Sequence, residues 1–106
     1  EILRLLLYAG ADPNTQDYGG YTLMHLAIDY ANIDELVKML LDKGADINMK
    51  NNWGETPLYG AAARGYEESV RALLNGNADP TVKMTSGETA LEIAKRKCRK
   101  EITKVL

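Results

Sequence analysis

Apolar and polar positions alternate along this chain in helical steps rather than strand steps. Val70, Leu73 and Leu74 stand at i, i+3 and i+4, the spacing of one buried helix face. Leu58, Ala61 and Ala62 form a second such stripe, with small side chains that let neighbouring helices approach. Leucine pairs recur at Leu6-Leu7, Leu40-Leu41 and Leu73-Leu74. Between the stripes lie polar turns rich in Gly, Asn and Asp. Such clusters end helices and start turns. The pattern predicts short helices in pairs, all-α, without a strand.

The pattern also repeats. Thr22-Leu23-Met24-His25-Leu26-Ala27 returns as Thr56-Pro57-Leu58-Tyr59-Gly60-Ala61, then as Thr89-Ala90-Leu91-Glu92-Ile93-Ala94, at offsets of 34 and 33 residues. Gly10-Ala11-Asp12-Pro13-Asn14, Gly44-Ala45-Asp46-Ile47-Asn48 and Asn77-Ala78-Asp79-Pro80-Thr81 keep the same step. A fixed period of this size signals stacked repeats. These residues resemble the ankyrin repeat, whose unit has about 33 residues and a T-P-L-H-x-A signature. The resemblance covers essentially the whole chain. It implies a solenoid of stacked helix-turn-helix units, each led by a β-turn finger, that binds proteins along the concave face made by fingers and first helices.

Four segments follow from the register. Residues 1–16 read as the second helix and loop of a partial repeat. Residues 17–50 and 51–83 read as full repeats, and 84–106 as a truncated last one. Terminal repeats ordinarily carry a polar outer face. Ile2, Leu3 and Leu6 would lie partly bare, which predicts a segment of a longer array.

Within each unit the local signals agree. Thr56 is placed to cap a helix and Pro57 to occupy its first position. Gly54 suits a finger turn and Gly65 a helix end, both with positive φ. Glu67 and Glu68 open the next helix, where acids complement the dipole. Asn77 stands where Gly10 and Gly44 stand, and Cys98 where Gly65 stands. Both are expected in the left-handed conformation, at a cost for Cys98 of about 1–2 kcal/mol. Arg99 and Lys100 put cations at the start of the last helix, against its dipole. That predicts a weaker last pair. One extra residue falls within Tyr30-Ala31-Asn32-Ile33, at the link between two helices.

Composition narrows the function classes. The chain has 106 residues, no Phe, one Trp and a net charge of −2. Residues 1–53 carry four basic and eight acidic side chains, residues 54–106 nine and seven. No apolar run reaches the ~18 residues of a membrane span. Cys98 is the single cysteine and has no internal disulfide partner. An intracellular setting, cytoplasmic or nuclear, is therefore expected. His25 is the single histidine, and no Cys pair accompanies it, so no zinc set exists by spacing. No Gly-rich phosphate loop or nucleophile elbow occurs. The chain reads as no enzyme, with no cofactor and no metal.

The resemblance assigns His25 to the signature histidine, whose imidazole bonds loop backbone. Tyr59 and Glu92 hold the same place later. Carried onto this sequence, the partner-facing positions are Tyr18, Tyr21, Asn52 and Trp53 on the fingers. Tyr30, Arg64 and Arg96 follow on the helix side, and Lys50 and Lys83 just before the fingers. Tyr, Trp and Arg dominate interface hot spots. The basic members suggest an acidic partner segment with an apolar anchor, met by a monomer. Two alternatives remain: a regulatory or targeting module of a larger enzyme or channel, and nucleic-acid contact through residues 95–100. The acidic overall balance argues against the latter.

Overall fold

The computed structural model describes Gly10 and residues 12–106. The helix expected within residues 1–16 falls mostly outside the described residues. Among the described residues there are six helices and no strand: α1 Leu23–Ala27, α2 Ile33–Asp42, α3 Pro57–Arg64, α4 Glu67–Asn75, α5 Ala90–Arg96 and α6 Lys100–Val105. α1 pairs with α2, α3 with α4 and α5 with α6. The pairs stack in two layers. α3 packs between α1 and α5, and α4 between α2 and α6. The all-helical solenoid implied by the resemblance is the observed architecture.

The first-layer helices begin alike. Thr22, Thr56 and Thr89 sit in extended backbone, and each hydroxyl accepts from the backbone N–H three residues on. The apolar stripes then meet between the layers. Met24, Leu36, Leu40, Leu58, Leu73 and Ile93 are almost wholly buried. Ala27, Ala61, Ala62 and Ala94 keep the first layer thin.

Helix ends follow the sequence reading. Asn77 (φ 70°) and Cys98 (φ 58°) are left-handed, as Gly44 and Gly65 are. The extra residue has a wider effect than a longer link. α1 stops after five residues, whereas α3 runs for eight. Beyond it Asp29 and Tyr30 donate to the carbonyls of Leu26 and Ala27, the tighter three-residue spacing.

Arg99 departs from the expectation of a cation set against its own helix. Its side chain turns back onto the preceding pair and donates from an Nη to the Ala63 carbonyl at 3.1 Å. That carbonyl belongs to the last turn of α3, the negative end of a dipole. The charge thus favours the stack there.

Candidate functional site

The fingers are built by side chains that stand in for turn backbone. Asp17 Oδ1 accepts from the N–H groups of Gly19 and Tyr21, each at 2.9 Å. Asn51 Oδ1 does the same for Trp53 and Glu55, each at 2.9 Å. Met84 leads the third finger and has no such acceptor. Only its backbone closes the turn, through Met84 N–H to Glu88 O and Gly87 N–H to Met84 O.

Adjacent fingers are joined edge to edge. Asn52 N–H donates to Gly19 O at 2.9 Å, and Thr85 N–H to Trp53 O at 3.1 Å. Asn52 Nδ2 adds a bond to Tyr18 O at 2.7 Å. Gln16 Nε2 bridges Gly20 O and Lys50 O at 2.9 and 2.8 Å. A parallel ladder runs along the loops. Asn14 Oδ1 accepts from Asp46 N–H at 2.7 Å, and Asn48 Oδ1 from Asp79 N–H at 2.8 Å. Gly54 is held at φ 81°, and a Cβ there would meet Thr85 N at 2.5 Å. The glycine serves both the turn and the close approach of the next finger.

Against this frame the aromatic residues separate into two groups. Tyr18 is fully exposed at a finger tip, and Trp53 is 54% exposed on the next. Tyr21 is half-buried between them. Its ring meets His25 edge-on at 5.5 Å and lies 6.2 Å from the Trp53 ring. Tyr18, Tyr21, Asn52 and Trp53 therefore belong to one finger surface. Tyr30 does not join them. It stands in the turn after α1, at the far end of the helix pair, in a cleft that Tyr66 also lines.

The predicted basic positions differ in how free they are. Lys50 and Lys83 are exposed beside the fingers. Arg64 is paired with Asp29 at 3.5 Å. Arg96 holds Glu88 with two bonds, Nε to Oε2 at 2.9 Å and Nη to Oε1 at 3.0 Å. Tyr59 Oη donates to the same carboxylate at 2.8 Å. These bonds, that of Arg96 foremost, hold the Glu88 carboxyl below its ordinary range. Burial, then the bond to Glu88, pushes the Tyr59 phenol up to about 12.

His25 is buried and fully engaged. Nδ1 accepts from Thr22 N–H at 3.1 Å, closing a capping box. Nε2–H donates to Glu55 O at 2.8 Å, on the next finger. Both bonds need the neutral ring with its proton on Nε2. Burial lowers its pKa, against the raising effect of the Glu55 carbonyl. The imidazole is an internal strut rather than a base facing a substrate. Among the described residues no group of three His, Cys, Asp or Glu side chains could hold a metal ion. No described helix is long and apolar enough to cross a membrane.

Glu88 is the hub of the second finger contact. Two exposed residues escaped the sequence reading. Tyr66 and Leu26 are exposed, at 40% and 46%. Tyr66 follows the helix-ending Gly65, a link position where an aromatic has no core to fill. That was its available signal.

The family model described as Ankyrin repeats (3 copies) matches residues 1–84 and again 24–106. An ankyrin repeat-containing protein of Schizosaccharomyces pombe is 45% identical over 53 residues, 50% of this chain and 25% of that protein. The E3 ubiquitin-protein ligase KEG of Arabidopsis thaliana is 44% identical over 71 residues, 66% of this chain and 4% of that protein. The potassium channel GORK of Arabidopsis thaliana is 32% identical over 71 residues, 67% of this chain and 8% of that protein. In each case the match spans a quarter or less of the relative's length.

Proposed function

Since the chain belongs to the ankyrin repeat family, a family of protein-interaction modules, we propose that it binds a partner protein through its fingers and first helices. The contact residues are Tyr18, Tyr21, Asn52 and Trp53, with Lys50 and Lys83 at the flank and Arg64 and Arg96 along the helices. The observation that carries this reading is exposure on a braced frame. Tyr18 and Trp53 are exposed, yet the fingers beneath them are bonded to each other and to the helix caps. Aromatic side chains on fixed backbone lose little freedom when a partner arrives. Tyr18 is fully exposed, and Trp53, although its ring meets that of Tyr21, keeps about half of its surface open.

Charge refines the partner. Asp29 and Glu88 offset Arg64 and Arg96, so Lys50 and Lys83 carry the preference for acid. The partner is then an acidic segment that inserts an apolar anchor beside Trp53. The repeats are assigned to residues 17–50, 51–83 and 84–106. The chain would act without catalysis, as one module of a longer polypeptide. The small fractions of the ligase and channel relatives that it matches support that modular role.

Affinity capture from nuclease-treated lysate tests the reading, with wild type beside a Tyr18→Ala, Trp53→Ala variant of unchanged helicity. A protein retained by wild type should be lost by the variant, because central aromatic anchors are worth about 2 kcal/mol or more. Equal retention by both would reject the finger surface.

A further inference from the structure

The joint between the α1–α2 and α3–α4 pairs differs from the joint between α3–α4 and α5–α6 in what fills it. At the second joint the Arg99 guanidinium lies over Gly65, its central carbon 3.0 Å from where a Cβ would stand. It reaches the Ala63 carbonyl at the end of α3. One repeat back, Tyr66 holds the position of Arg99 at a step of 33 residues, and Asp29 aligns with Ala63 at a step of 34. At this first joint the Arg64 guanidinium reaches Asp29 at 3.5 Å, but no arginine is among the described residues that line the space beside the link. A cleft of about 340 Å³ lies there instead, lined by Asp29, Tyr30, Tyr66, Glu67, Glu68 and Ser69 along with two isoleucines.

The lining is aromatic and acidic, with no Lys or Arg among the described residues that form it. Tyr30 and Tyr66 are half-exposed. Asp29 is answered by Arg64 at 3.5 Å and Glu67 by Arg71 at 2.9 Å. Glu68 has no cationic partner among the described residues. The start of α4 adds only about half a positive charge. Against it stand two ring faces and the Glu68 carboxylate, which has no cation beside it among the described residues.

We propose that this first joint is a docking slot for an arginine side chain from a basic segment of a partner protein. The incoming guanidinium does between proteins what Arg99 does within the chain. Arginine fits better than lysine, because its plane stacks on tyrosine and its fork pairs with a carboxylate. The slot lies at the link end of the helices, about 12 Å from the fingers for an eight-residue helix. It takes the opposite charge from the finger surface and stands independently of that reading.

The test is an amide chemical-shift titration of the whole chain with N-acetyl-arginine methylamide, and with its lysine and glutamate counterparts. The arginine probe should shift the amides of Asp29, Tyr30 and Tyr66 to Ser69 most, more than the lysine probe does. Glu68→Gln should weaken arginine binding about threefold, as removal of an exposed ion pair does. Tyr66→Arg should fill the slot from within and abolish those shifts. Absence of localised shifts, stronger shifts with the glutamate probe, or arginine shifts unchanged by Glu68→Gln would each overturn the proposal.

Discussion

The first and second joints hold the same stack together with different side chains. Backbone does the common part: Asn52 N–H to Gly19 O at one, Thr85 N–H to Trp53 O at the other. The third residue of α1 and that of α3 then cross to the next finger, each by its own chemistry. His25 reaches a backbone carbonyl, whereas Tyr59 reaches a carboxylate that Arg96 also holds. Ser69 Oγ donates to Ile28 O at the first joint, and Arg99 to Ala63 O at the second. His25 and Tyr59 fill one repeat position with different side chains, whereas Ser69 and Arg99 act from positions three apart in the repeat. Tyr18 and Trp53, whose side chains make no such hydrogen bond, are the ones we propose for recognition.

The largest test of this comparison concerns backbone. Gly54→Ala forces a Cβ against Thr85 N in a left-handed turn. It should cost about 3 kcal/mol in urea unfolding, combining strain with a broken finger bond. Gly87→Ala, at φ 90° with open space around it, should cost only the conformational part, about 1 kcal/mol. Equal losses would deny that the finger ladder matters.

The struts come next. His25→Ala removes a cap bond and a cross-joint bond, and should cost about 2 kcal/mol. Tyr59→Phe should cost about 1 kcal/mol, since Arg96 still holds Glu88. Their pH signatures have opposite signs. The His25 pKa is depressed on folding, so the unfolded chain binds the proton first. Stability should fall as pH drops below 6.5, and His25→Ala should flatten that slope. The Tyr59 phenol is raised to about 12 from 10.0, so its contribution should fade as pH climbs through that window. Thermal melts across pH, with each variant beside wild type, check both.

Cys98→Gly is the smaller refinement. Relief of the left-handed cysteine should raise stability by about 1 kcal/mol, read as a higher Tm. An unchanged or lowered Tm would reject strain at that helix end.

Much of this was legible in the chain. Thr22, Thr56 and Thr89 announced the helix starts, and the slots of Asn77 and Cys98 announced left-handed backbone, because both features depend on neighbours in sequence. The cross-joint partners were not legible. Tyr59 finds Glu88, and Arg99 finds Ala63, across a step that only the three-dimensional stack defines. Arg99 in particular read as a cation at the wrong end of a helix until the preceding helix came into contact. The shortening of α1 was also hidden: one inserted residue could have looped out, but α1 stops at Ala27, three positions short of where α3 ends. At the candidate surface, sequence could nominate Tyr18, Tyr21 and Trp53 as a set. It could not show that Arg64 and Arg96 are already paired.

The central claim is that the fingers are fixed before any partner binds. Native-state hydrogen exchange at the amides of Asn52 and Thr85 tests it most directly, since each donates across a joint. The account predicts protection close to that of the core helices, far above the exposed Ser86 amide on the last finger. Exchange at Asn52 and Thr85 as fast as at Ser86 would contradict it.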